Sequence, residues 1–159
     1  GVLATPSTFQ GELYASVVER FANGVEIYQE TCPGLVSQIE KGRLDTPKTR
    51  QILEAALLPL MARGVDTLVM GCTHFPFVIP LIEQITAGQA RVIDPAPAVA
   101  RQTQRVLEER GLLNPQPEAG LTRYFTTGDP AKFARVLPRL IGVQAQAQAL
   151  RWQGKNLTP

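Results

Sequence analysis

The chain has 159 residues, 44% of them hydrophobic and 19% charged, with a formal net charge of +2. That is enough for one ordinary domain with a real core, in the proportions of a soluble globular protein. Lys and Arg are scattered and not interleaved with aromatics, and no apolar run reaches the roughly 18 residues of a membrane helix, so neither a nucleic-acid partner nor a membrane is expected.

Two cysteines do not make a disulfide scaffold, which leaves a reducing, cytoplasmic setting as the default. The chain opens on Gly1-Val-Leu-Ala, with no initiator Met and no charged leader. This reads as the start of a strand, not a signal peptide, and suggests a cut chain or an absent N-terminal half.

In chain order, Val2–Ala4 reads as a short strand and Thr5-Pro-Ser-Thr8 as a polar turn, with Thr8 a candidate N-cap. Phe9, Leu13, Val17 and Phe21 recur at helical spacing and predict one buried apolar face, closed by Asn23-Gly24. Residues 25–30 alternate as a strand, Thr31-Cys-Pro-Gly34 interrupts it, and residues 35–40 form a short helical piece. Thr46-Pro47 is a strong helix start. Ile52, Leu53, Ala56, Leu57, Leu60 and Met61 are its buried stripe, and Arg63-Gly64 its stop.

A central strand from Val65 leads into the polar turn Cys72-Thr73-His74, then a helix from about residue 76 to 85. Residues 91–94 predict a strand and 95–110 a helix, with Val99, Val106 and Leu107 facing inward and Gly111 at its end. Residues 114–120 read as a linker, 121–126 as a strand and 131–141 as a helix, while 144–159 lack a period and are expected to fray. Strands alternating with helices define an α/β fold with a mostly parallel sheet and helices on both faces. Such sheets bind ligands at the carboxyl ends of their strands. The glycine patterns of dinucleotide- and phosphate-binding loops are absent, so no nucleotide is indicated.

The Cys-Thr-His turn is the place where chemistry concentrates. His74 is the only histidine and lies two residues from Cys72. A cysteine between a buried strand and a helix amino end should have its thiolate favoured. Thr73 offers a hydroxyl and an amide to a carboxylate, and His74 can exchange protons with the thiol or orient it. The competing reading is a buried cysteine acting as a small hydrophobe beside a satisfied histidine. A phosphatase-type thiolate would need an arginine a few residues on, but the turn runs into Phe75-Pro-Phe-Val-Ile. Cys72, His74 and a distant Cys32 do not have zinc-site spacing, so no metal is expected. What survives is proton transfer by a thiolate at a carbon next to a carboxylate.

Gly71-Cys-Thr-His-Phe-Pro76 resembles the second active-site motif of glutamate racemases, within the aspartate/glutamate racemase superfamily. Gly1–Thr8 with Tyr14, Thr31–Glu40, Ile93-Asp94 and Phe125–Asp129 are similar to further markers of that family, to about Gly142. The resemblance implies a cofactor-independent, two-base interconversion of L- and D-glutamate that supplies D-glutamate for peptidoglycan in bacteria. It assigns Cys72 as the second catalytic cysteine, His74 as its assistant and Glu40 as the carboxylate near the histidine. Thr73, Thr5 and Thr8 match substrate contacts. Cys32 matches a non-catalytic Cys-Pro and is expected to be structural.

The family folds as two lobes. Residues 1–98 would be the complete second lobe and 99–159 a segment that returns to the first lobe. The first lobe, with the other catalytic cysteine, would be missing from this chain, leaving it inactive alone and with apolar exposure or self-association through 99–142. A homodimer is left open. The alternatives are a racemase or isomerase of the same superfamily acting on aspartate or another acidic substrate, and a non-catalytic binding module.

Overall fold

The computed structural model describes residues 1–116 and 120–158, so part of the expected linker at 114–120 lies outside the described residues. The chain forms two compact units, Gly1–Leu112 and Leu113–Pro159. The return segment expected from residue 99 therefore begins inside a helix that belongs to the first unit.

The first unit is built on strands β1 (Val2–Ala4), β2 (Gln29–Thr31), β3 (Thr67–Met70) and β4 (Arg91–Ile93), in the order β2-β1-β3-β4. Every pairing is parallel, with Leu3 beside Glu30 on one side and Met70 on the other. Going from β1, the chain first adds a strand on one side, then crosses back to add β3 and β4 on the other. The gap between the carboxyl ends of β1 and β3 is thus the topological switch point, where open α/β sheets bind ligands.

Leu3, Leu68 and Met70 are fully buried on the sheet, and Leu35, Ile39, Leu53, Leu57 and Ile82 are fully buried on the helices. Those helices are α3 (Leu35–Glu40), α4 (Pro47–Ala62) and α5 (Ile79–Thr86). Helix α4 starts where its sequence predicts. The Thr46 hydroxyl accepts from the Thr49 amide at 3.2 Å, and Pro47 occupies the first turn, where its missing N–H costs nothing.

Several expectations change. The helix predicted from Phe9 is two pieces, α1 (Pro6–Phe9) and α2 (Glu12–Phe21), separated at Gln10-Gly11. Thr8 therefore sits inside α1 and caps nothing. The break also resets the helix phase. Tyr14 and Val18 turn toward the unit, while Leu13, Val17 and Phe21 face outward at 79%, 46% and 70% exposure. The helix expected to follow the Cys-Thr-His turn directly is preceded by a four-residue 3-10 turn, Phe75–Val78, with α5 beginning only at Ile79. Finally, α6 (Ala96–Glu109) buries no residue fully, and Val99, expected inward, is 61% exposed.

In the second unit, β5 (Tyr124–Thr126) pairs in parallel with β6 (Ala147–Ala149) around α7 (Pro130–Ile141). The Asp129 carboxylate caps α7 by accepting from the amides of Ala131 and Lys132 at 2.8 and 3.1 Å. The tail expected to fray instead forms β6 and an antiparallel hairpin, β7 (Arg151–Gln153) and β8 (Asn156–Thr158). Gly154, with φ of +60°, opens its two-residue turn, as a type II′ hairpin requires. Three-residue strands are too short to carry a readable period.

Candidate active site

The carboxyl edge of the four-stranded sheet collects the polar residues. Thr5 and Thr8 follow β1, Cys32 follows β2, Cys72, Thr73 and His74 follow β3, and Asp94 follows β4. The two threonine hydroxyls lie 3.1 Å apart, and the Thr8 amide donates to the Thr5 carbonyl at 2.9 Å. On the other side of the switch point, Gly71 donates to the Leu3 carbonyl at 2.8 Å. A Cβ at Gly71 would stand 3.0 Å from Ala4 Cβ and 3.3 Å from Leu3 O. The glycine lets β1 and β3 close together where their turns diverge.

The turn itself is held by the segment after it. Phe75 donates its amide to the Cys72 carbonyl at 3.1 Å, and the side chains of Phe75 and Val78 are both 1% exposed. This anchor leaves Cys72 half-buried and Thr73 exposed. It also brings His74 onto the end of α3, where its Nε2 lies 3.3 Å from Glu40 Oε1. A carboxylate at that distance orients the imidazole. Residues 34 apart in sequence are thereby brought into contact directly after Cys72.

Cys72 and Thr73 line a cavity of about 480 Å³ whose walls include Met70, Pro76, Asp94 and Val99. The cavity is largely apolar, and Asp94 is the charged group among its described lining residues. Thr5, Thr8, His74 and Glu40 are not in that lining. The six predicted residues therefore form three neighbouring groups along one edge: the threonine pair, the cavity with Cys72 and Thr73, and the His74–Glu40 pair. Asp94 was legible only as a family marker, although its position at a strand's carboxyl end was the available signal. Its Oδ1 accepts from the Ala96 amide at 2.9 Å and so fixes the cavity wall at the start of α6.

Cys32 is of a different kind. It is 6% exposed, and burial, reinforced by the carboxylate of Glu30 and by Cys72, pushes its thiol up to about 12. It stays protonated at neutral pH and cannot act as a base there.

The chain is thus an open α/β protein with a thiol, hydroxyls and an imidazole–carboxylate pair at the switch point of its sheet. It belongs to the Asp/Glu/Hydantoin racemase family, whose model matches residues 1–103. Among curated relatives, the glutamate racemase of Ectopseudomonas mendocina (strain ymp) is 46% identical over 146 residues, 92% of this chain and 55% of the relative. That of Roseiflexus sp. (strain RS-1) is 44% identical over 141 residues, 88% of this chain and 52% of the relative. This chain spans about half the length of the curated relatives it matches. A glutamate racemase isoform from Bacillus anthracis superposes with a TM-score of 0.83 at 28% identity, covering 95% of this chain and 56% of that one. The Francisella tularensis glutamate racemase in complex with D-glutamate gives 0.79 at 27% identity, covering 92% and 55%.

Proposed function

We propose that this chain carries one half of a glutamate racemase active site, acting in the cytoplasm to supply D-glutamate for peptidoglycan. The observation that carries the reading is the His74–Glu40 contact at 3.3 Å, immediately after a half-buried Cys72 at the switch point. Cys72, as thiolate, removes the α-proton of glutamate. The Cα–H bond breaks, an S–H bond forms, and the electron pair remains on Cα, where the adjacent carboxylate delocalises it. A second thiol then protonates the opposite face and becomes the thiolate, and in the other direction Cys72 is the donor.

His74 orients the Cys72 thiol and takes up or returns its proton, while Glu40 holds the ring. Thr5, Thr8 and Thr73 offer neutral donors to the substrate carboxylates. The buried Cys32 thiol is unsuited to be the second base, which this reading places outside the chain, in a first lobe that residues 99–159 rejoin after the lobe of residues 1–98. On this reading the chain alone does not racemise glutamate. The breadth of the family's description favours one second reading, an acidic substrate such as aspartate.

Titrating the ¹⁵N-labelled chain with D-glutamate should shift the amides of Thr5, Thr8 and Thr73 while leaving the polarimeter silent. A stronger response to D-aspartate would move the assignment to the second reading. No response to either would favour a non-catalytic module. Racemisation by the chain alone that depends on Cys72 would sink the half-site proposal.

A further inference from the structure

The two units differ in charge as well as in packing. Residues 113–159 contain six basic and two acidic residues, whereas residues 1–112 contain ten and twelve. The net charge of +2 therefore divides into +4 and −2, a segregation that the average conceals. On α7, Lys132, Arg135 and Arg139 recur at spacings of three and four, so they share one face, and all three are exposed. The helix itself has no acidic residue, and the Asp129 carboxylate at its start accepts from the amides of Ala131 and Lys132.

The hairpin of β7 and β8 adds an apolar face to this basic unit. Trp152 stands directly opposite Leu157, so the two side chains lie on the same face, 63% and 45% exposed. Arg151 precedes the tryptophan, Lys155 occupies the turn, and both are exposed. Residues 151–158 contain no Asp or Glu, and among the described residues neither cation forms a salt bridge. An amphipathic indole beside an aliphatic side chain, rimmed by such cations, has the chemistry of a bilayer's headgroup level. A groove for single-stranded nucleic acid would instead line up successive aromatics. Here the indole faces Leu157, and no other aromatic lies on β7 or β8.

We propose that the hairpin Arg151–Thr158 docks this chain on the surface of an anionic phospholipid bilayer, with the basic face of α7 adding to the attraction. Trp152 and Leu157 enter the interface, while Arg151 and Lys155 stay with the lipid phosphates. The docking is peripheral, since no helix among the described residues is long and apolar enough to cross a membrane. It is independent of the proposed activity.

Trp152 is the only tryptophan, so its emission reads the hairpin directly. Adding vesicles of phosphatidylcholine with about one-third phosphatidylglycerol to the full chain at low salt should shift that emission to the blue. Vesicles of phosphatidylcholine alone should leave it unchanged, and raised salt should reverse the shift. In co-sedimentation with the anionic vesicles, Arg151→Glu with Lys155→Glu should lower the partition coefficient at least about tenfold, as should Arg135→Glu with Arg139→Glu. Trp152→Ala should also weaken binding, and Trp152→Phe should retain most of it. All these positions are exposed, so the far-UV circular dichroism should not change.

An emission unmoved by the anionic vesicles overturns the proposal. Equal binding to both kinds of vesicle overturns it too, because the cations would then play no part. Binding that survives the hairpin substitutions would place the contact on another apolar surface, and indifference to the α7 pair would remove that helix from the docking face. A quench by single-stranded oligothymidine without any response to vesicles would assign the hairpin to nucleic acid instead.

Discussion

Cys32 and Cys72 stand at the carboxyl ends of β2 and β3, separated by β1, and the fold gives them opposite surroundings. Cys72 is half-buried at a cavity wall, whereas Cys32 is buried between the end of β2 and the start of α3 in the chain, with Glu30 nearby. The Cys32 thiol is raised from an ordinary 9.0 to about 12, so the folded state holds this proton more tightly than the unfolded chain. The stability tied to it is fully present below the unfolded value and is lost as pH climbs toward the folded one. Each unit of the displacement corresponds to about 1.4 kcal/mol, an upper bound once solvent reaches the loosening structure. Guanidinium unfolding midpoints should therefore fall more steeply in the native sequence than in Cys32→Ala between about pH 9 and pH 11. Parallel curves would mean that the thiol is not shielded as its burial indicates. Iodoacetamide at pH 8 should label Cys72 in the folded chain and reach Cys32 only after unfolding.

Between β1 and β3 the limiting element is the missing side chain of Gly71. Its backbone angle is not in the left-handed region, so the constraint is space and not conformation. An alanine there would press on Ala4 Cβ and the Leu3 carbonyl, neither of which can swing away as a flexible side chain would. Gly71→Ala is expected to cost about 1–3 kcal/mol by overpacking, read as a lowered melting temperature and as displaced amide signals at Leu3 and Ala4. An unchanged melting temperature would show that the two strands can part without loss. Local chemistry made this element legible: a strand, a glycine and a polar turn lie within eight residues of sequence. The same is true of α4, whose Thr46-Pro47 start and Gly64 stop act within one turn. The phase of α2 was hidden, because Gly11 interrupts a pattern that reads continuously from Phe9 to Phe21 and both of its faces are apolar. The Glu40–His74 pairing is a product of packing between α3 and the 3-10 turn. The residues alone did not define it, and the family resemblance was what suggested it.

At the scale of the whole chain, the hydrophobic core is unevenly divided. Of the buried apolar side chains among the described residues, Leu137 alone belongs to the unit Leu113–Pro159. The others, from Leu3 to Ala90, all lie in Gly1–Leu112. The first unit also has an all-parallel sheet with buried Leu3, Leu68 and Met70, and α4 and α5, which pack on each other and bury Leu53, Leu57 and Ile82. The second has two-stranded sheets and an amphipathic α7 whose Phe133 and Ile141 remain 36% and 47% exposed. A segment this short with one buried apolar side chain cannot offset the about 1–2 kcal/mol per residue that ordering its backbone costs. A chain ending at Leu112 should therefore unfold cooperatively in urea with a midpoint close to that of the full chain. Residues 113–159 expressed separately should give the circular dichroism of a largely unordered peptide. A folded, cooperatively melting 113–159 would show that this second unit stands on its own. Loss of cooperativity in 1–112 would show that the first unit, with Cys72 and its neighbours, depends on it.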